Sequence, residues 1–212
     1  MDPNELSPPV ILSQVMVLPS RDSLQELECR FHITEDKVDQ ILSHDLNNLY
    51  FNTTTFIQAN RRIDNLLRPA YFEIELLKFN IEGFKLEIGL ATESHQNLNA
   101  PNIFISYSHS NIILNNQPHS PLSITSVQGD TIGVLFTPFP TTEVSFTLNG
   151  AIISTQQFQF NQQSLYPTII ASNETFVHFN FGEEIFKNSM ANFNNFAITS
   201  PTVIVEPPPA YV

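Results

Sequence analysis

Val144-Ser145-Phe146-Thr147-Leu148-Asn149-Gly150-Ala151-Ile152-Ile153 decides the fold. Asn-Gly tolerates positive φ at both central positions of a tight type I′ turn, and strand-like residues flank it, so the stretch predicts a two-residue β-hairpin. Working outward, Phe84, Leu86, Ile88 and Leu90 alternate with Lys85, Glu87 and Gly89, the period of a half-buried strand. Tyr71–Leu77, Asn102–Tyr107, Ile112–Leu114, Thr131–Phe136 and Phe176–Phe181 read as further short strands between Gly, Pro, Asn and Ser clusters. Many short strands with such turns predict an all-β, two-sheet antiparallel sandwich.

Before residue 46 the pattern differs. Residues 1–20 carry Pro3, Pro8, Pro9 and Pro19 and read as an irregular arm. Residues 21–45 read as short helices packing on the sandwich. Leu24, Leu27 and Phe31 form one apolar face, and Thr34-Glu35-Asp36-Lys37 resembles a capped helix start followed by a stripe of Val38, Ile41 and Leu42. The sandwich is expected over 46–187, and 188–212 read as a tail.

Composition narrows the function classes. The chain has 212 residues, 42% hydrophobic and 11% aromatic, enough for one real core. Its net charge is −12, and after Lys85 the only basic residue is Lys187, so neither nucleic acid nor an anionic membrane surface is an expected partner. Acidity serves solubility, and a basic protein surface remains a compatible partner. Cys29 is alone and no signal peptide is recognisable, which predicts a cytoplasmic, reducing setting. The apolar run from Val10 to Leu18 is too short for a membrane span.

Neither a nucleophile elbow nor a phosphate-binding loop occurs, and the six histidines lack metal-ligand spacing, so no catalytic residue, metal or cofactor is expected. Asp130 reads as a turn cap, Glu183-Glu184 as a solvated loop, and His178 as a surface or hydrogen-bonded strand residue.

Several pieces then resemble SPRY domains in the family's order. They are Tyr71-Phe72-Glu73-Ile74, Leu86–Thr92, Gly129-Asp130-Thr131-Ile132-Gly133, Phe146–Gly150, Leu165-Tyr166-Pro167 and Asn180-Phe181-Gly182. The resemblance implies a sandwich that binds proteins through loops at one end and carries no catalysis. The matching loops hold Asn97, Leu98 and Pro101, and Ser172 and Asn173; they serve equally well as ordinary turns. Many SPRY domains carry a tryptophan; this chain has none, and phenylalanine takes its place in packing.

Pro208-Pro209-Ala210-Tyr211 satisfies PPxY, the pattern of a WW-domain ligand. Proline holds the peptide near polyproline II before binding, and Tyr211 fills the second aromatic pocket. A SPRY-like domain followed by PPxY resembles the fungal sorting adaptors that recruit Nedd-family HECT ubiquitin ligases at endosomes and the vacuole. The resemblance implies an adaptor joining a protein cargo to a ligase at the surface of those membranes. Two alternatives stand beside it: a SPRY scaffold subunit with an incidental PPxY, and an enzyme on a jelly-roll-like sandwich, for which the sequence offers no nucleophile–base pair.

Overall fold

The computed structural model describes residues 41–43 (backbone only), 47–63, 68–80, 82–92, 101–138, 140–159, 164–172 and 174–198. The expected arm, the first helix, most of the second, the PPxY peptide and Asn97, Leu98 and Asn173 lie outside them.

The described residues form two antiparallel sheets. One has seven strands in the order β1 (Ile41–Ser43), β2 (Asn48–Phe51), β13 (Thr175–Asn180), β4 (Ala70–Lys78), β9 (Thr131–Thr137), β10 (Glu143–Leu148), β11 (Ala151–Gln157). The other has six: β3 (Thr55–Gln58), β12 (Leu165–Ala171), β5 (Leu86–Thr92), β6 (Asn102–Ser106), β7 (Asn111–Leu114), β8 (Gln117–Pro121). The expected two-sheet sandwich is therefore present.

The hairpin forms as its residues require. Leu148 pairs with Ala151, and Asn149 and Gly150 take φ of 50° and 84°. Gly150 is needed twice, because a Cβ there would overlap the Lys187 carbonyl. A second two-residue turn, Asn115-Asn116 with φ of 50° and 62°, joins β7 to β8. The sequence reading names no strand at β8, which contains Pro118 and Pro121; an edge strand tolerates them because one side needs no ladder donor.

The core lies between the inner faces. Phe72, Ile74, Leu76, Ile132, Val134, Phe146 and Phe179 meet Leu86, Ile88, Leu90, Ile103, Ile105 and Ile169, all nearly inaccessible. Phenylalanine does the packing: Phe181 lies 5.7 Å from Phe72 and 5.5 Å from Phe179, centroid to centroid. At one end Tyr107 ties the sheets together. Its backbone N–H donates to Leu86 O, and its hydroxyl reaches Asp130, whose own carbonyl accepts from Leu76 N. Asp130 also accepts from Val127 N and Asn149 Nδ2, so it does cap the turn before β9.

Two expectations are corrected. Ile41 and Leu42 belong to a strand, not a helix stripe, with Ile41 opposite Phe51 and Leu42 opposite Tyr50. The open edge of β2 offers this segment ready backbone partners, whereas a short helix gains little by itself. The packed unit also runs past residue 187: residues 182–198 fold back over the outer face of the seven-stranded sheet. Within this strap, α1 (Ser189–Phe193) is capped by Asn188, whose Oδ1 accepts from Ala191 N at 2.9 Å. Phe196 O accepts from Tyr71 N, and Ile198 N donates to Phe181 O.

Candidate functional site

The strap and the sheet beneath it make a polar site. Antiparallel register places His178, Glu75 and Thr131 in one cross-strand row on the outer face. Asn180, Glu73, Gly133 and Thr147 form the next row. Tyr71 stands beside Leu135 in a third, and its ring reaches back over Gly133. A Cβ at Gly133 would overlap the Tyr71 hydroxyl and Thr147 Oγ1, so glycine here makes room for the phenol.

That room lets Tyr71 donate to Glu73 Oε2 at 3.0 Å, while Thr147 Oγ1 lies 3.0 Å away. Because the phenol's one proton goes to Glu73, Thr147 donates to Tyr71. Glu73, 5% exposed, also accepts from Lys187 N at 2.9 and 3.1 Å, and Asn180 Nδ2 sits at 3.5 Å. The carboxylate thus holds the strap by its backbone. Burial pushes the Glu73 carboxyl above the usual range, against the lowering effect of the Lys187, Tyr71 and Asn180 hydrogen bonds and the Lys187 charge. Burial, followed by the neighbouring Glu73 charge, pushes the Tyr71 phenol up strongly. Phe186 seals the apolar side, edge-on to Tyr71 at 4.8 Å, with Leu135 and Ala191.

The strap covers the second and third rows and leaves the first open as a cleft of about 310 Å³. His178, Glu75 and Thr131 form its floor, and Glu184 and Ile185 stand exposed at its rim. His178 Nε2 lies 3.2 Å from Glu184 Oε1, and its Nδ1 lies 3.1 Å from Asn48 Oδ1. His178 is therefore a hydrogen-bonded strand residue, as expected. Glu184 contacts it instead of standing free in solvent.

Of the loop residues named from sequence, Pro101 and Ser172 are described, and they lie at opposite ends of β5. Thr92 pairs with Leu165 while Leu86 pairs with Ala171, so Pro101, bonded to Thr92, sits at one end of β5 and Ser172 at the other, about 20 Å away. Pro101 is half-buried and its carbonyl accepts from Thr92 N. Ser172 is 2% exposed, and its hydroxyl accepts from Lys85 N at 2.8 Å. Its side chain anchors the turn.

Among the described residues there is no cluster of three or more acidic, histidine or cysteine side chains fit for a metal. Contrary to the sequence reading, a serine–histidine contact exists: Ser108 Oγ and Ser106 Oγ lie 3.0 and 3.2 Å from His109 Nδ1. Both serines approach the same nitrogen within a single turn, and among the described residues no carboxylate is hydrogen-bonded to the ring, so the contact closes a turn and lacks the orienting acid of a triad.

Residues 70–184 match the SPRY domain family, more than half of the chain. A relative called Protein ssh4 from Neurospora crassa is 26% identical over 215 residues, covering 99% of this chain and 42% of the relative. Protein SSH4 from Coccidioides immitis is 28% identical over 167 residues, covering 76% of this chain and 33% of its own length. The chain thus spans well under half the length of these curated relatives. Among solved structures, the SPRY domain of human HERC1 superposes with a TM-score of 0.56 at 15% identity, over 68% of this chain and 94% of that one. Sheet order, motif positions and these likenesses agree, and the chain belongs to the SPRY domain family.

Proposed function

We propose that this chain is a protein-interaction adaptor: its SPRY sandwich holds a protein cargo, and its C-terminal PPxY recruits a WW-domain HECT ubiquitin ligase of the Nedd family, promoting cargo ubiquitination and sorting. The observation that carries the reading is Pro208-Pro209-Ala210-Tyr211 placed directly after a SPRY domain. Likeness to proteins named SSH4 supports it, as does resemblance to the fungal sorting adaptors, which adds a place of action at endosomal or vacuolar membrane surfaces. No helix among the described residues is long and apolar enough to cross a membrane.

The geometry suits two arms. Ile198 is held against Phe181, and nine residues separate it from Pro208, so the motif starts ten residue steps and no more than about 36 Å from that anchor. Tethering at that range raises the effective concentration of ligase around a bound cargo. The test is pull-down by a panel of isolated WW domains. Wild-type chain should bind Nedd-family domains, and Tyr211→Ala should bind roughly 30-fold more weakly or not at all, the loss expected of an aromatic anchor. Equal binding by both proteins would refute the motif assignment.

A further inference from the structure

We infer that the cleft over His178, Glu75 and Thr131 is a docking pocket for a basic side chain, an arginine above all, carried by the protein partner of the sandwich. The inference rests on the adaptor reading and assigns its cargo arm a place on the outer face of the seven-stranded sheet.

Two unpartnered groups meet in the cleft. Thr131 is 2% exposed, lines the cleft, and its Oγ1 has no hydrogen-bond partner. Its backbone is satisfied, since Thr131 N donates to Asn149 Oδ1 and Thr131 O accepts from Asn149 N. The hydroxyl alone is left over, and a buried hydroxyl without a partner is costly unless something else supplies one. Directly opposite it in the ladder stands Glu75, half-buried, whose carboxylate makes no hydrogen bond or ion pair among the described residues.

The other carboxylates of the cleft are committed, Glu73 to the strap and Glu184 to His178. An incoming guanidinium therefore meets one carboxylate without a partner among the described residues, and the enclosed Thr131 hydroxyl on the adjacent strand becomes a second acceptor once its side chain turns toward the cleft. Ile185, 87% exposed at the rim, offers apolar surface to the aliphatic stem. A volume of about 310 Å³ is at the small end of ligand pockets and suits one side chain. The net charge of −12 steers a basic segment toward the chain. Lys187 also lines the cleft and forms no ion pair among the described residues, so its ammonium competes with the incoming cation.

The probe is the tripeptide acetyl-Gly-Arg-Gly-amide, titrated into isotope-labelled full chain and followed by amide shifts. Saturable shifts should centre on Glu75, Thr131, His178 and Glu184. The same peptide with citrulline, neutral and nearly isosteric, should give none. Glu75→Gln, which breaks no contact in the fold, should weaken arginine binding about tenfold. Lys187→Met should strengthen it, a gain that misfolding cannot produce. Equal binding of the citrulline peptide, unchanged affinity in Glu75→Gln, or weaker binding in Lys187→Met would overturn the assignment. WW-domain binding reads the other arm: if it persists while the arginine peptide fails, the cleft assignment falls and the adaptor reading stands.

Discussion

Replacing Gly133 by alanine tests the architecture beneath the strap. The added methyl would occupy space held by the Tyr71 hydroxyl and Thr147 Oγ1. Neither can retreat freely, because Tyr71 is fully buried and edge-on to Phe186, and Thr147 lies within a central strand. Overpacking of this kind costs about 1–3 kcal/mol. Moving the phenol also breaks its bond to the Glu73 carboxyl, a further ~1.5–3 kcal/mol for a buried hydrogen bond to a charged group. The expected loss is about 3–5 kcal/mol, measured as a lower urea midpoint at unchanged slope. Gly129→Ala is the control: Gly129 has φ of 90° but open space around it, so only backbone strain of about 1–2 kcal/mol applies. A Gly133→Ala loss no larger than the Gly129→Ala loss would refute the claim that Gly133 exists to seat Tyr71.

Glu73 gives the molecule a pH signature. Its folded pKa is raised, so its contribution to stability is complete below the ordinary glutamate value and is lost as pH rises through the folded value. Urea midpoints measured against pH should therefore fall for wild type relative to Glu73→Gln on going from acid toward neutral pH; parallel curves would contradict the assignment. Phe186→Ala removes a 5%-exposed ring that seals the strap, at a cost of about 3–5 kcal/mol to strap docking. Hydrogen exchange at Phe196 and Ile198, whose N–H groups donate to Ala191 O and Phe181 O, should accelerate while exchange in β5 and β6 stays slow.

The sandwich was legible because its signals are local. Asn149-Gly150 specifies its own turn, and the alternation from Phe84 to Leu90 states which residues face inward. The strap was not legible. Its residues Phe186, Ala191 and Phe196 show no period of 2 or 3.6 that would announce packing, and their partners Tyr71 and Leu135 lie far away in sequence. Glu73 illustrates the consequence. It occupies an outward strand position that reads as solvated, and its burial is created by Lys187, 114 residues later. Thr131 reads as an ordinary strand residue for the same reason; its stranded hydroxyl is visible only when its neighbours are in place. The separation of Ser172 from Pro101 follows from strand pairing, which sequence spacing does not reveal. Ile41 and Leu42 fit either a helix stripe or an edge strand, and the free edge of β2 decided between them.

The most direct test of the two-arm account is a titration of isotope-labelled full chain with an isolated Nedd-family WW domain, read residue by residue. The account expects shifts confined to the 206–212 peptide, with Thr131, Glu75 and the strap unmoved, and in Tyr211→Ala the same shifts only at roughly 30-fold higher WW-domain concentration or not at all. Shifts centred on the sandwich, or binding of undiminished affinity after the loss of Tyr211, would contradict it.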